Sequence, residues 1–302
     1  MINPVEKKIA FVQKRLKSAF RLLESCRVCP RHCGANRLKG EIGFCKSGFL
    51  PEVSSDNLHF GEEPPISGTK GSGTIFLTGC SLGCLFCQNF PISHLGNGNP
   101  VSIRKLAAMM LRLQKAGAHN INFVTPTHFA PQIMGALLLA FKSGLFLPLV
   151  YNCGGYESMD MLTLWDGIID LYMPDMKYSD PEMARRYSSA PDYPEVNRAA
   201  IREMHRQVGD LETDEEGIAQ KGLLVRHLVL PENISGTGDV LRFISQEISP
   251  HTFVSLMSQY FPAFEASSTP PLNRRINRSE YDRARRLLED FGMERGWVQK
   301  ME

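Results

Sequence analysis

Several things are scarce in this chain of 302 residues. No stretch offers the ~20 unbroken apolar residues that a membrane-spanning helix requires. The nearest, residues 133–150, is interrupted by Lys142, Ser143, Gly144 and Pro148. Net charge is nearly lacking too, with 34 Lys and Arg against 32 Asp and Glu, so the basic field that draws proteins to nucleic acids or anionic surfaces is missing. The sequence therefore predicts neither a membrane nor a nucleic acid as partner. No internal repeat or low-complexity tract organises the chain. What remains is the composition of an ordinary globular enzyme, 43% apolar and 22% charged, long enough to bury a substantial core.

Cysteine is not scarce, and its placement is uneven. Of eight cysteines, seven (Cys26, Cys29, Cys33, Cys45, Cys80, Cys84 and Cys87) fall in the first third, and Cys153 stands apart. A disulfide framework belongs to small secreted domains with poor cores. This chain is long and opens without a signal-like apolar stretch, which predicts a reducing, cytoplasmic setting in which clustered thiols serve as metal ligands. Its first residues place Val5, Ile9, Val12, Leu16, Ala19 and Leu23 at helical spacing, an amphipathic helix.

From Gly73 onward short apolar runs alternate with helical stretches. The runs are 74–78, 121–125, 147–151, 168–173, 223–230 and 253–257, six candidate strands. Between them, Ser102 can cap a helix ending at Gly117, Pro131 can open one ending at Gly144, and Asp180-Pro181 and Pro194 start two more. A last helix is expected over 279–291, with Ser279 and Asp282 as its capping box. Strands separated by helices predict parallel βαβ units, hence an α/β fold with a partial (β/α)6 barrel over residues 71–302. Residues 1–70 read as an appended module, a helix followed by a cysteine-rich stretch and a Gly/Pro/Ser-rich connection from Gly61 to Gly73. Asp210 to Gly217 reads as a solvated hairpin tip.

The sharpest motif follows the first of these strands: Gly79-Cys80-Ser81-Leu82-Gly83-Cys84-Leu85-Phe86-Cys87-Gln88-Asn89. Three thiolates spaced C-x3-C-x2-C on one loop, with Gly79 and Gly83 allowing tight turns, can wrap three corners of a [4Fe-4S] cluster. No fourth cysteine is supplied, so one iron would stay open to a chelating ligand such as the amino and carboxylate groups of S-adenosyl-L-methionine (SAM). Three buried free cysteines or a zinc site are the alternatives, but zinc would want a fourth ligand and His94 is poorly spaced for it. Upstream, Cys26, Cys29, Cys33 and Cys45 form a C-x2-C-x3-C-x11-C set sufficient for zinc or for a second, fully ligated [4Fe-4S] cluster.

The spacing, with Phe86 before the third cysteine and Gln88-Asn89 after it, resembles the radical SAM superfamily. Together with the run His59-Phe60-Gly61-Glu62-Glu63-Pro64-Pro65-Ile66-Ser67-Gly68, it is similar to relatives of the pyruvate formate-lyase (glycyl radical enzyme) activating enzymes. The resemblance implies an oxidoreductase in which reductive cleavage of SAM gives methionine and a 5′-deoxyadenosyl radical that abstracts hydrogen from a substrate. It also implies a one-electron donor such as flavodoxin or ferredoxin, and a protein or peptide substrate; a small metabolite is the alternative, and a non-catalytic iron–sulfur protein or a zinc-stabilised binding module would be of a different class.

In parallel barrels the functional face lies at the carboxyl ends of the strands. Polar residues gather there: Thr125-Pro126-Thr127-His128, Asn152-Cys153-Gly154-Gly155, Asp175-Met176-Lys177 and Gln259. By the resemblance, Asp175 and Lys177 contact the methionine end or ribose of SAM, and Phe86 lies near its adenine. Asn152 and Thr125 complete the cofactor-binding set. That branch carries Gly-Gly-Glu after the second strand for the SAM ammonium; here hydroxyls or carbonyls at Thr125 to His128 have to stand in. His128 reads equally as a hydrogen-bonded loop histidine, Asp175 and Lys177 as a structural pair, and Cys153 as packing.

Overall fold

The computed structural model describes residues 3–301. Its strands are β1 (Glu52–His59), β2 (Ser72–Leu77), β3 (Asn99–Pro100), β4 (Ile121–Val124), β5 (Leu149–Cys153), β6 (Leu171–Pro174), β7 (Glu212–Thr213), β8 (Ala219–Leu228), β9 (Phe253–Met257) and β10 (Gly296–Val298). Its helices are α1 (Pro4–Arg21), α2 (Pro64–Ser67), α3 (Phe90–Ser93), α4 (Ile103–Lys115), α5 (Ala130–Lys142), α6 (Met159–Leu162), α7 (Pro181–Ser188), α8 (Tyr193–Val208), α9 (Thr237–Phe243) and α10 (Arg278–Asp290).

The strands form one sheet in the order β10-β9-β8-β6-β5-β4-β2-β1-β3, with β7 paired to β8. Along the path from β2 to β10 every pair is parallel. β1 runs antiparallel to β2, and β3 antiparallel to β1. The six expected strands all form, and the sheet ends at β10 and β3 rather than closing on itself. β4, β5 and β6 are buried at every position, which is why they read as largely apolar runs.

Local signals act where the sequence places them. Ser102 accepts from Lys105 N and starts α4; Asp180 accepts from Glu182 N and Met183 N and starts α7. α1 buries Val12 and Ala19, packs on α5, and is pinned by Lys8 to Asp170 at 2.5 Å. β7 and β8 make the hairpin around the acidic turn.

Three expectations need correction. Ile168 and Ile169 are buried but precede β6, because Gly167 (φ +74°) turns the chain just before them. The capping box of α10 is Asn277 with Glu280, two residues earlier than Ser279 with Asp282. Third, β1 lies in the stretch expected to hold only a module and a connection. Its sequence, EVSSDNLH, has too few apolar residues to announce a strand, which suits a position away from the centre of the sheet.

The Gly/Pro/Ser-rich connection has a defined place. α2 lies against the face of the sheet that carries Val150 and Leu224, and Ile66 is fully buried among Val150, Leu171, Met173, Ala219 and Leu224. Asn120 Nδ2 donates to Ile66 O at 2.8 Å. Side chains alternate along a strand, so Asn152 and Arg226 share that face. The segment therefore packs on that face of the sheet and brings Glu62 to Asn152 at the end of β5.

Candidate functional site

At the carboxyl ends of the parallel strands, where ligand sites of such folds lie, is an open cleft of about 200 Å³. Cys80, Cys84, Cys87, Phe86, Thr125, Asn152, Asp175 and Lys177 all line it, with Cys153 and Gln259. Every residue that the sequence assigns to the C-x3-C-x2-C site and its cofactor contacts therefore faces one space.

The loop after β2 places the three thiols. Gly79 takes φ +77°, and a Cβ there would meet Cys45 O at 2.7 Å and Ser47 Oγ at 2.8 Å, so both the turn and the close approach of the cysteine-rich stretch demand glycine. Gly83 lies outside the left-handed region. Burial pushes the Cys80 and Cys84 thiols up; Cys84 and Cys87 add to the rise at Cys80, and Cys87 to that at Cys84, as expected for like charges on one short loop. All three are free of disulfides. This donor set fits a group that takes three thiolates on three different irons and leaves a fourth open.

The polar floor is continuous. Asp175 Oδ2 accepts from Lys177 Nζ at 2.5 Å, and Oδ1 accepts from Arg226 at 2.9 Å. Arg226 also donates to Asn152 Oδ1 at 2.9 Å. Asn152 Nδ2 and Asn122 Nδ2 donate to Glu62 Oε1, each at 3.2 Å. Burial would raise the Asp175 carboxyl, but the charges of Arg226 and Lys177 outweigh it and hold the group below its ordinary range. Burial likewise opposes the charge on Lys177, and Asp175 outweighs it. Glu62 and Glu63 are pushed up by burial despite the pull of Arg226. Asp175 and Lys177 are thus both a structural pair and part of the cleft wall.

Thr125 sits at the end of β4 with φ +59°, unusual for a β-branched residue, and its N donates to Asn152 O at 2.8 Å. His128 is placed elsewhere: its ring is buried, Nε2 donates to Thr78 O at 2.7 Å, and burial pushes its pKa to about 3. It is the hydrogen-bonded loop histidine. His94 likewise bonds Cys84 O at 3.1 Å and stacks on Phe264. Cys153 is buried against Glu157, a carboxyl that burial pushes up to about 7. Glu157 accepts from Thr127 Oγ1 at 2.6 Å and Tyr151 OH at 3.0 Å.

Cys26, Cys29 and Cys45 are buried and Cys33 is exposed. Burial pushes Cys29 up to about 12, with Cys45 and Cys26 adding to it, and Cys33 adds to the rise at Cys26. The four are neighbours. Yet among the described residues no group of three or more His, Cys, Asp or Glu is drawn together as ligands of one metal ion. The same holds at Cys80, Cys84 and Cys87, so the metal expected at each cysteine group rests on the spacing of its thiols. The stretch instead docks on the site: Arg37, fully buried, donates to Gly48 O and His128 O, and Arg31 Nε donates to Ser81 O at 2.8 Å.

Sequence reasoning missed Arg226, Glu157 and the role of Glu62. For Arg226 a signal was present, a charged residue inside the apolar run Leu223 to Leu230. For Glu157 there was none.

No protein-family model matches the chain. It is 28% identical to an uncharacterized protein of Methanocaldococcus jannaschii over 295 residues, 93% of this chain and 79% of that protein. Among solved structures it is similar to a radical SAM methyltransferase from Sphaerobacter thermophilus, with a TM-score of 0.48 and 13% identity over 75% of this chain and 66% of that one, just under two thirds of its length. That likeness is too distant to carry an argument, so the chemistry rests on the residues of the cleft.

Proposed function

We propose that this protein is a radical SAM enzyme. One observation carries the reading: the three cysteines of C-x3-C-x2-C face a single cleft together with the polar ends of β4, β5 and β6 and Arg226 of β8. Cys80, Cys84 and Cys87 would hold a [4Fe-4S] cluster. With SAM bound, such a cluster supplies reductive cleavage of the sulfonium C–S bond to methionine and a 5′-deoxyadenosyl radical.

The chain's own residues do the remaining work. Lys177, held charged by Asp175, offers a fixed cation to the cofactor's carboxylate. Asn152, whose amide is oriented by Glu62 and Arg226, and Thr125, whose backbone is fixed by Asn152 O, present polar atoms where that branch of the superfamily uses Gly-Gly-Glu. Phe86, buried and in edge contact with Tyr178 and Tyr260, gives a rigid apolar wall for an adenine ring. The segment after β9 covers the loop: Gln88 Nε2 donates to Gln259 O at 3.0 Å and Ala266 N to Leu85 O at 3.0 Å. Those contacts limit the access of water and oxygen to the thiols.

The finer proposal is a protein or peptide substrate, the glycyl site of a partner enzyme being one instance, with an electron donor of the flavodoxin or ferredoxin kind. It is supported by the motif resemblance; a small metabolite is the competing substrate class.

Anaerobic reconstitution, chemical reduction and addition of SAM should give 5′-deoxyadenosine. No product above a Cys80→Ala control, in protein shown to carry iron at this loop, would overturn the reading. Metal analysis of the Cys80/Cys84/Cys87 triple-alanine variant then reports on the upstream cysteines: about four iron per chain for a second cluster, one zinc for a structural ion.

A further inference from the structure

The cysteine loop is docked on the last turn of α7. Gly83 N donates to Ser188 O at 3.1 Å, and Leu85 N to Tyr187 O at 3.0 Å. This docking delivers a side chain to the site: Ser188 Oγ donates to Cys84 Sγ at 2.9 Å, and Tyr178 OH lies 2.8 Å from Ser188 Oγ. Counting hydrogens sets the direction of this chain. A serine hydroxyl has one hydrogen, and a thiolate only accepts. With the Ser188 hydrogen committed to sulfur, Tyr178 must be the donor to Ser188.

The other two sulfurs are supported differently. Cys80 Sγ accepts from the backbone, Leu82 N at 3.3 Å, and Cys87 Sγ lies 3.1 Å from Ser93 Oγ. Ser93 is only half-buried, so water can replace its hydroxyl. Ser188 and Tyr178 are 0% and 1% exposed, and no water can take their place if they are removed.

We infer that Ser188, oriented by Tyr178, is a positioning residue that sets the reduction potential of the iron–sulfur cluster at this loop; the inference rests on the function proposed above. Hydrogen bonds to cysteine sulfur are among the protein's levers on cluster potential. A donor stabilises the state with more negative charge on sulfur, which is the reduced state, and so raises the potential. Chains of hydrogen bonds polarise one another, so the Tyr178 donor strengthens the bond that Ser188 makes.

The test is a redox titration followed by electron paramagnetic resonance on the anaerobically reconstituted full chain, with iron content measured first. Ser188→Ala should shift the midpoint to lower potential at unchanged iron content. Tyr178→Phe should shift it the same way by less, and Ser188→Thr and Ser93→Ala should stay close to the wild-type value. A Ser188→Ala protein that keeps its cluster and titrates with the wild type overturns the inference, as does a Ser93→Ala shift of equal size. Should Ser188→Ala fail to hold iron, Tyr178→Phe decides, and an unmoved midpoint overturns the inference. If wild-type protein binds no iron that depends on Cys84, the functional reading fails first and this inference with it.

Discussion

Replacing Glu157 with glutamine isolates the cost of one buried carboxyl. Glu157 is surrounded by Thr127, Tyr151 and Cys153 and has no cation among its partners. Burial moves its pKa from 4.5 to about 7 in the folded protein. Below pH 4.5 the group is protonated whether folded or unfolded, and contributes no pH dependence. Between 4.5 and 7 the folded chain holds a proton that the unfolded chain has lost, so stability falls as pH rises. Above 7 both states are ionised and the penalty is constant. At about 1.4 kcal/mol per pH unit, the full penalty is about 3 kcal/mol. Glutamine copies the neutral form, keeping an acceptor for Thr127 while Tyr151 rotates to accept. Glu157→Gln should match the wild type near pH 4.5 and exceed it by about 3 kcal/mol at pH 8. Urea unfolding at several pH values reads this directly. A difference that does not change between pH 4.5 and 8, or a glutamine variant less stable at pH 8, refutes the reasoning.

Arg226→Met leaves Asp175 and Glu62 buried with one cation fewer, and breaking such a cluster costs about 3–5 kcal/mol; adding Glu62→Gln should recover part of the lost urea midpoint. An unchanged midpoint in the single variant would show that the floor is not held by charge. Gly155→Ala should abolish folding into soluble protein, because φ is +72° and a Cβ would lie 2.2 Å from both Asp175 O and Asn197 Nδ2. Soluble protein with a wild-type circular dichroism spectrum would contradict this.

Periodicity made the parallel strands legible because β4, β5 and β6 are buried on both faces and mostly apolar, with Asn122 and Asn152 the polar exceptions in β4 and β5. It failed at β1, whose polar residues give no period, and at Ile168-Ile169, whose apolar character reflects burial in a turn. Motif spacing made the three thiols legible, and strand-end position found Thr125, Asn152, Asp175 and Lys177. What lay out of reach were contacts made across long stretches of chain. Ser188 reaches Cys84 from 104 residues away, and Glu62 reaches Asn152 from 90. Neither pairing leaves a trace in local sequence, since a serine ending a helix and a glutamate just ahead of a helix that opens on prolines each have ordinary local explanations.

The placement of Arg226 favours function over stability as the reason for the polar floor. On its own face of β8 its neighbours are Leu224 and Leu228, and an apolar residue at 226 would extend that packing. A buried charge cluster adds little to stability compared with well-packed apolar side chains, and it raises the penalty for any unpaired member. Here the cluster brings Glu62 and Glu63 into burial as well, with Glu63 Oε2 left unpartnered. What the cluster does achieve is geometric: one guanidinium fixes the Asp175 carboxylate and the Asn152 amide, and Asp175 fixes the Lys177 ammonium. Those three side chains and the three thiols line the same cleft. The charged residue in the apolar strand and the cysteine loop are independent features of the sequence, and their convergence on one space is what a site held ready for a small, charged cofactor requires.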